Sequence, residues 1–199
     1  MPLTAAQQRL FLAAVHAEQR VTKAVRRKCF ISYHAADADE VTTFVQKFED
    51  VIIPKIIGVT DDDPWVDSTN TDYIMDKVRE KYLTDSTVTI VMVGKCTWAR
   101  KYVDWEVYSS LRNDKNNRRN GLMAIELPSR GDGKLPPRVS DNFKKDSNDN
   151  NVGYARYWVY PGSDATLRGW VEDAFEARTN RSHLIDNTHA RKTNNSPCP

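Results

Sequence analysis

One stretch limits the fold of this chain more than any other: Thr87–Leu111, TVTIVMVGKCTWARKYVDWEVYSSL. Thr87–Val93 is an unbroken β-branched and apolar run, the pattern of a strand buried on both faces. Gly94, Lys95, Cys96 and Thr97 break that run, and a helical period follows from Trp98. At roughly 100° per residue, Ala99, Tyr102 and Val103 form one apolar stripe with Trp98 and Trp105 on its edge. Arg100, Lys101 and Asp104 fall on the opposite side. Glu106 lands inside the stripe, next to Tyr102 and Val103 one turn back. A carboxylate aimed at the core, just past the carboxyl end of a central strand, is costly unless it is paired or used. The bland alternative is a glutamate bonded to a neighbouring loop or paired with an arginine, and geometry alone leaves both open.

Strand and helix patterns alternate along the rest of the chain. Thr4–Gln7 forms a capping box ahead of an alanine-rich segment up to about Val25, so residues 1–26 are expected to be a helical extension. Lys28–Tyr33 (KCFISY) reads as the first strand, ending at His34. Asp37 and Glu40 give a capping signature for a helix carrying Val41, Phe44, Val45, Phe48, Val51 and Ile52, stopped by Pro54. Ile56–Val59 is a short second strand, and Asp61–Ser68 a polar loop carrying Trp65. A helix over about Asp72–Leu83 presents Ile74, Val78 and Tyr82 inward. Leu122–Leu127 and Arg156–Tyr160 are the remaining strands. Residues 128–153, rich in Pro, Gly, Asn, Asp, Ser and Lys, read as a long loop or mobile insertion. Ser163 or Asp164 caps a last helix whose Leu167, Trp170, Val171, Ala174 and Phe175 face the core. Residues 181–199 read as a polar, loosely held tail.

Strands alternating with helices predict an α/β fold with a mainly parallel five-stranded sheet covered on both faces. In such sheets ligands bind beyond the carboxyl ends of the strands, where the topology reverses. That edge collects the Ser32–His34 turn, the Trp65 loop and the Gly94–Thr97 turn leading to Glu106. At 199 residues, one domain over about 27–180 with extra segments at its ends is the natural expectation.

A net charge of +2 calls for neither nucleic acid nor an anionic membrane, and no run approaches the length of a membrane span. The short apolar patch Leu10–Val15 reads as a helix face and not as a signal peptide. Three cysteines lack any metal or C-x-x-C spacing, which points to a reducing compartment and a cytoplasmic location. GxxxxGK[ST], GxGxxG and GxSxG are all absent, against a phosphate loop, a dinucleotide fingerprint and a hydrolase elbow. Four histidines without a helical pair disfavour zinc, so no metal and no bound cofactor are expected. Gly94 and Lys95 after the central strand leave no phospho-acceptor aspartate there. Cys96 lacks a histidine placed to activate it. Trp65 is either a stacking platform for a ring or a plain hydrophobic plug.

The segments KCFISYHAAD and TIVMVGKCTWARKYVDWE together resemble the TIR-like family of the bacterial Thoeris anti-phage systems, the ThsB type. FISYHxxD matches the opening motif, and the strand followed by GKxTxxRxxxDWE matches the second. The resemblance runs from about Lys28 to Leu111 and more loosely to Phe175. It implies a flavodoxin-like fold and cleavage of NAD⁺, with the ADP-ribose part cyclised into a signal for a separate effector. Glu106 would be the catalytic glutamate. Phe30, Ser32, Tyr33 and His34 would line the dinucleotide pocket together with Gly94, Thr97 and Trp105, with Trp65 as a stacking candidate. Asp37, Arg100 and Tyr102 would support that pocket, Asp37 by closing the first helix and Arg100 through a structural ion pair. The implied partners are NAD⁺ as substrate, further copies of the chain or a phage-derived trigger, and an effector reached through the product. Two alternatives stand beside this: plain NAD⁺ hydrolysis, and a non-enzymatic TIR-like scaffold in which Glu106 is structural.

Overall fold

The computed structural model describes residues 25–56, 64, 67–113 and 118–199. Five strands, β1 (Arg27–Ser32), β2 (Ile52–Lys55), β3 (Val88–Val93), β4 (Gly121–Glu126) and β5 (Arg156–Trp158), form one sheet in the order β2-β1-β3-β4-β5. Every pairing is parallel. The helices are α1 (Ala38–Lys47), α2 (Thr71–Val78), α3 (Lys101–Leu111), α4 (Pro137–Asn142) and α5 (Asp164–Asn180). This is the expected α/β architecture.

The period-2 alternation of the strands decides which helices pack on which face. Cys29 and Ile31 of β1, with Val88, Ile90, Met92, Met123 and Ile125, meet Val41 and Phe44 of α1 and Leu167, Val171 and Ala174 of α5. Phe30 points the other way, into Ile74, Met75 and Val78 of α2 and Trp105 of α3. Val91, Val93, Leu122 and Ala124 on that face pack against Val103, Val107 and Leu111 of α3 and Val139 of α4. By the same alternation Ser32 faces the α3 layer. Gly121 lets α5 approach closely: a Cβ there would lie 1.8 Å from the Ala174 carbonyl oxygen. Ser163 caps α5 as expected, its side chain accepting from the Thr166 N–H.

Several boundaries differ from the sequence pattern. The first helix ends at Lys47 and β2 covers Ile52–Lys55 with Pro54 inside it, where the pattern carried the helix through Ile52 and stopped it at Pro54. The strand expected over Ile56–Val59 lies outside the described residues beyond Ile56. Since β2 is an edge strand, a residue without an N–H is tolerated there. Trp98 belongs to a 3₁₀ turn, Thr97–Ala99, and the regular helix begins only at Lys101. Residues 128–153 are not a structureless loop: Pro128–Arg130 is a 3₁₀ turn, Pro137–Asn142 is α4, and Lys145 bridges Asn151.

The carboxyl-terminal segment, expected to be loosely held, docks against α3 and α4. Ser196 N–H donates to the Ala99 carbonyl (2.8 Å), Asn142 exchanges bonds with Asp186, and Cys198 forms a disulfide with Cys96. That disulfide corrects the reading of three unpaired cysteines. The partners stand 102 residues apart, so no local spacing announces them. Cys29 remains a buried free thiol, and burial pushes its pKa up. The expected helix over 1–26 lies outside the described residues except for its last two positions, as does Trp65 of the polar loop.

Candidate functional site at the β1–β3 switch

The chain leaves β1 for the outer strand β2 and then crosses back to β3, so the topology reverses between β1 and β3. Ser32 is the last residue of β1 and pairs in register with Val91. Its hydroxyl donates to Glu106 Oε2 at 2.6 Å, with Ser32 0% and Glu106 4% exposed. The helical period that turned Glu106 inward and the strand alternation that turned Ser32 toward α3 thus meet in one contact. Helices α1 and α3 both begin at this edge, at Ala38 and Lys101, and their amino termini present positive ends to it.

Two turns enclose the site. After β1, Tyr33 and His34 are half-buried and lead into the 3₁₀ turn Ala35–Asp37. After β3, the Gly94 N–H donates to Thr97 Oγ1 (2.9 Å), and that hydroxyl lies within reach of Asp37 Oδ2 (3.3 Å). A Cβ on Gly94 would sit 2.3 Å from Asp37 Oδ2, so glycine is what lets the turns close on each other. Asp37 therefore holds the turn and makes no side-chain capping bond to its helix, contrary to its expected role.

The electrostatics of this corner follow from crowding. Burial pushes the Asp37 carboxyl above its ordinary range, opposed first by the nearby His34 and then by the Thr97 hydrogen bond. Burial pushes His34 down, and the Arg100 charge adds to that effect against the pull of Asp37. Arg100 stands at the amino end of α3, with its Nε donating to the Cys96 carbonyl (3.3 Å). Its charge acts on His34 and Asp37, and its hydrogen bond goes to a backbone carbonyl and not to the carboxylate of the expected ion pair.

Trp105 packs beside the site, in the layer between α3 and β1. Its ring meets Tyr102 edge to face at 5.4 Å and packs in the cluster that also holds Phe30. Its Nε1 donates to the Lys192 carbonyl (2.7 Å), and the Arg191 guanidinium covers the ring at 4.5 Å. Phe30 is 0% exposed, so it supports the site from within the core and does not line an open surface.

The sequence pattern placed Asp104 on the outer face of the helix, yet it is 3% exposed and paired with Arg138, itself 0% exposed (3.0 Å). The Lys192 N–H also donates to Asp104 (2.8 Å). Helix α4 and the carboxyl-terminal segment cover what a two-layer wheel leaves to solvent. The one sequence signal for α4 is Pro136–Pro137 ahead of Arg138, since Pro is favoured at the first helical position.

Among the described residues no three His, Cys, Asp or Glu side chains cluster closely enough to hold a metal ion. A recess of about 400 Å³ lies at the opposite edge of the sheet, lined by Arg79, Arg118 and Arg178. Arg79 there donates to the carbonyls of Ser109 and Arg118, the carbonyl end of α3 and the segment after it. Among the described residues no helix is long and apolar enough to cross a membrane.

The switch-point geometry therefore offers one enclosed carboxylate with a hydroxyl donor, flanked by two helix amino termini and a crowded His34–Asp37–Arg100 corner. Comparison with known proteins bears on this arrangement. No curated protein matches the chain. The sequence profile described as "Thoeris protein ThsB, TIR-like domain" matches residues 30–132, just over half of the chain and the part that holds Ser32, Asp37, Gly94, Thr97 and Glu106. The chain belongs to the Thoeris ThsB TIR-like domain family.

Proposed function

We propose that this protein acts in Thoeris anti-phage defence as a cytoplasmic enzyme that cleaves NAD⁺ between nicotinamide and ribose and cyclises the ADP-ribose part into a second messenger. The observation that carries this reading is the Ser32–Glu106 hydrogen bond (2.6 Å), which holds a buried carboxylate at the switch point of the sheet. Cleavage of the nicotinamide–ribose bond builds an oxocarbenium-like transition state, and a fixed carboxylate beside the ribose stabilises that charge. Nicotinamide leaves as a neutral base, so no strong general acid is needed. The amino termini of α1 and α3 favour the diphosphate at the same edge. Cyclisation then requires an adenine nitrogen or a ribose hydroxyl to reach the anomeric carbon with water excluded.

With Glu106 4% exposed and Ser32 fully buried, substrate entry requires the site to open. That supports a silent resting enzyme with a phage-derived trigger or a self-association step, and an effector reached through the diffusing product. The test is NAD⁺ consumption by dilute purified protein and by lysates of infected cells, with products resolved by mass spectrometry. A cyclic ADP-ribose species formed after infection supports the full reading. Linear ADP-ribose would reduce the reaction to hydrolysis, and equal turnover in both samples would remove the trigger.

The same hydrogen bond supports a second reading, a non-enzymatic TIR-like scaffold in which Glu106 pins α3 to the end of β1. A paired, buried glutamate is what such a role requires. Protection against phage without NAD⁺ loss separates the two.

A further inference from the structure

We propose that residues 187–198 form a redox-latched strap over the outer face of the Glu106 helix, opened and closed by the Cys96–Cys198 disulfide. The proposal stands on the packing of the tail and does not depend on NAD⁺ cleavage. The body of the protein holds the strap through both its backbone and its side chains, among them Asn187, whose Oδ1 accepts from Arg138 (2.9 Å), and Arg191, which lies over the Trp105 ring. Arg138 donates to the carbonyls of Asn187 (3.3 Å) and His189 (2.9 Å). Lys192 bonds Asp104 through its N–H and Trp105 through its carbonyl, and the Lys101 N–H donates to Asn195 Oδ1 (2.8 Å). These contacts run along α3 from its first residue to Trp105, the neighbour of Glu106.

Nothing apolar anchors this segment. No residue from Asn187 to Pro199 is buried, and the sequence NTHARKTNNSPCP offers no large aliphatic or aromatic side chain. The bonds to Arg138, Asp104 and Trp105 are partly buried, but with no buried side chain of its own the strap has little apolar burial to add to them, so it can open locally while the body stays folded. The disulfide changes that balance by tethering its end, across 102 residues of chain, to the turn at the carboxyl end of β3. Both cysteines are half-exposed, within reach of a small thiol or disulfide.

Closure is thiol–disulfide exchange. The Cys96 or Cys198 thiolate attacks a small-molecule disulfide such as oxidised glutathione, releasing one thiol. The second cysteine then displaces the other thiol from the mixed disulfide, giving the protein disulfide and two small thiols. Reduction by two equivalents of thiol reverses both steps. With the latch open, the strap's bonds to Asp104 and to the Trp105 Nε1 are released on the helix that carries Glu106.

The test uses the full chain equilibrated in oxidised or reduced glutathione. Trypsin cleavage after Arg191 and Lys192 is followed by mass spectrometry of quenched, reduced samples, with free thiols counted in parallel under denaturing conditions. We expect cleavage at least about tenfold faster in the reduced buffer. The Cys198→Ser variant should cleave at the fast rate in both buffers. One free thiol, Cys29, is expected in the oxidised protein and three in the reduced. Equal cleavage rates in the two buffers, a slow rate in Cys198→Ser, or three free thiols in oxidised glutathione would each overturn the latch.

Discussion

Ser32 Oγ donates to Glu106 Oε2 at 2.6 Å, across 74 residues of sequence, and so ties the end of the first strand to the helix that follows the third. A buried carboxylate that loses a donor keeps its desolvation cost with one compensating bond fewer. Ser32→Ala should therefore destabilise the protein by about 1–3 kcal/mol. For a chain of this size that corresponds to a melting temperature lower by roughly 2–4 °C per kcal/mol. Thermal unfolding checks it, and an unchanged melting temperature would mean that the bond contributes nothing to the folded state.

The Asp104–Arg138 pair is buried, so removing one partner leaves the other a buried charge held only by its remaining polar contacts. Arg138→Met and Asp104→Asn should each cost about 3–5 kcal/mol in denaturant unfolding. Replacing both with apolar residues of similar volume should recover most of that loss. A double variant as unstable as the sum of the singles would contradict the coupling.

The close approach of Gly94 to Asp37 predicts a specific rescue. Gly94→Ala places a methyl 2.3 Å from Asp37 Oδ2 and should destabilise by about 1–3 kcal/mol. Combined with Asp37→Ala, the Gly94→Ala penalty should largely vanish, which a double-mutant cycle measures. A penalty independent of residue 37 would place its origin elsewhere.

The crowded corner at His34 also predicts a pH dependence. His34 is held below its ordinary value near 6.5, so the unfolded chain binds that proton more readily. Its contribution to stability is lost as pH falls below about 6.5 and is present above it. Asp37 is raised, so it acts in the opposite sense and in a lower window, with stability declining as pH rises above about 3.8 through its folded value. Between about pH 5 and 7, stability should therefore rise more steeply in the wild type than in His34→Gln. Denaturant midpoints across that range test this, and identical slopes would show that His34 does not titrate differently on folding.

How much of this was visible in the sequence depends on the range of the interaction. The inward turn of Glu106 was legible because helical period is local, and the sheet was legible because β3 reads as a doubly buried strand. The burial of Asp104 was not, because its partner lies 34 residues away in a segment that reads as loop. The disulfide was hidden for the same reason. Pro54 misled because an edge strand tolerates what an interior strand does not, and edge position is a property of the assembled sheet. The inward face of Ser32 followed from strand alternation, but its pairing with Glu106 required the topology.

The most direct test of the account is NAD⁺ turnover in lysates of infected cells that express either the wild type or Glu106→Gln, with small products resolved by mass spectrometry. The substitution keeps size and hydrogen-bonding capacity while removing the charge. We expect a cyclic ADP-ribose species from the wild type and a turnover at least about 10²–10³-fold lower from the variant. If neither protein consumes NAD⁺ and both protect equally against phage, Glu106 is a structural residue and the enzymatic reading is wrong.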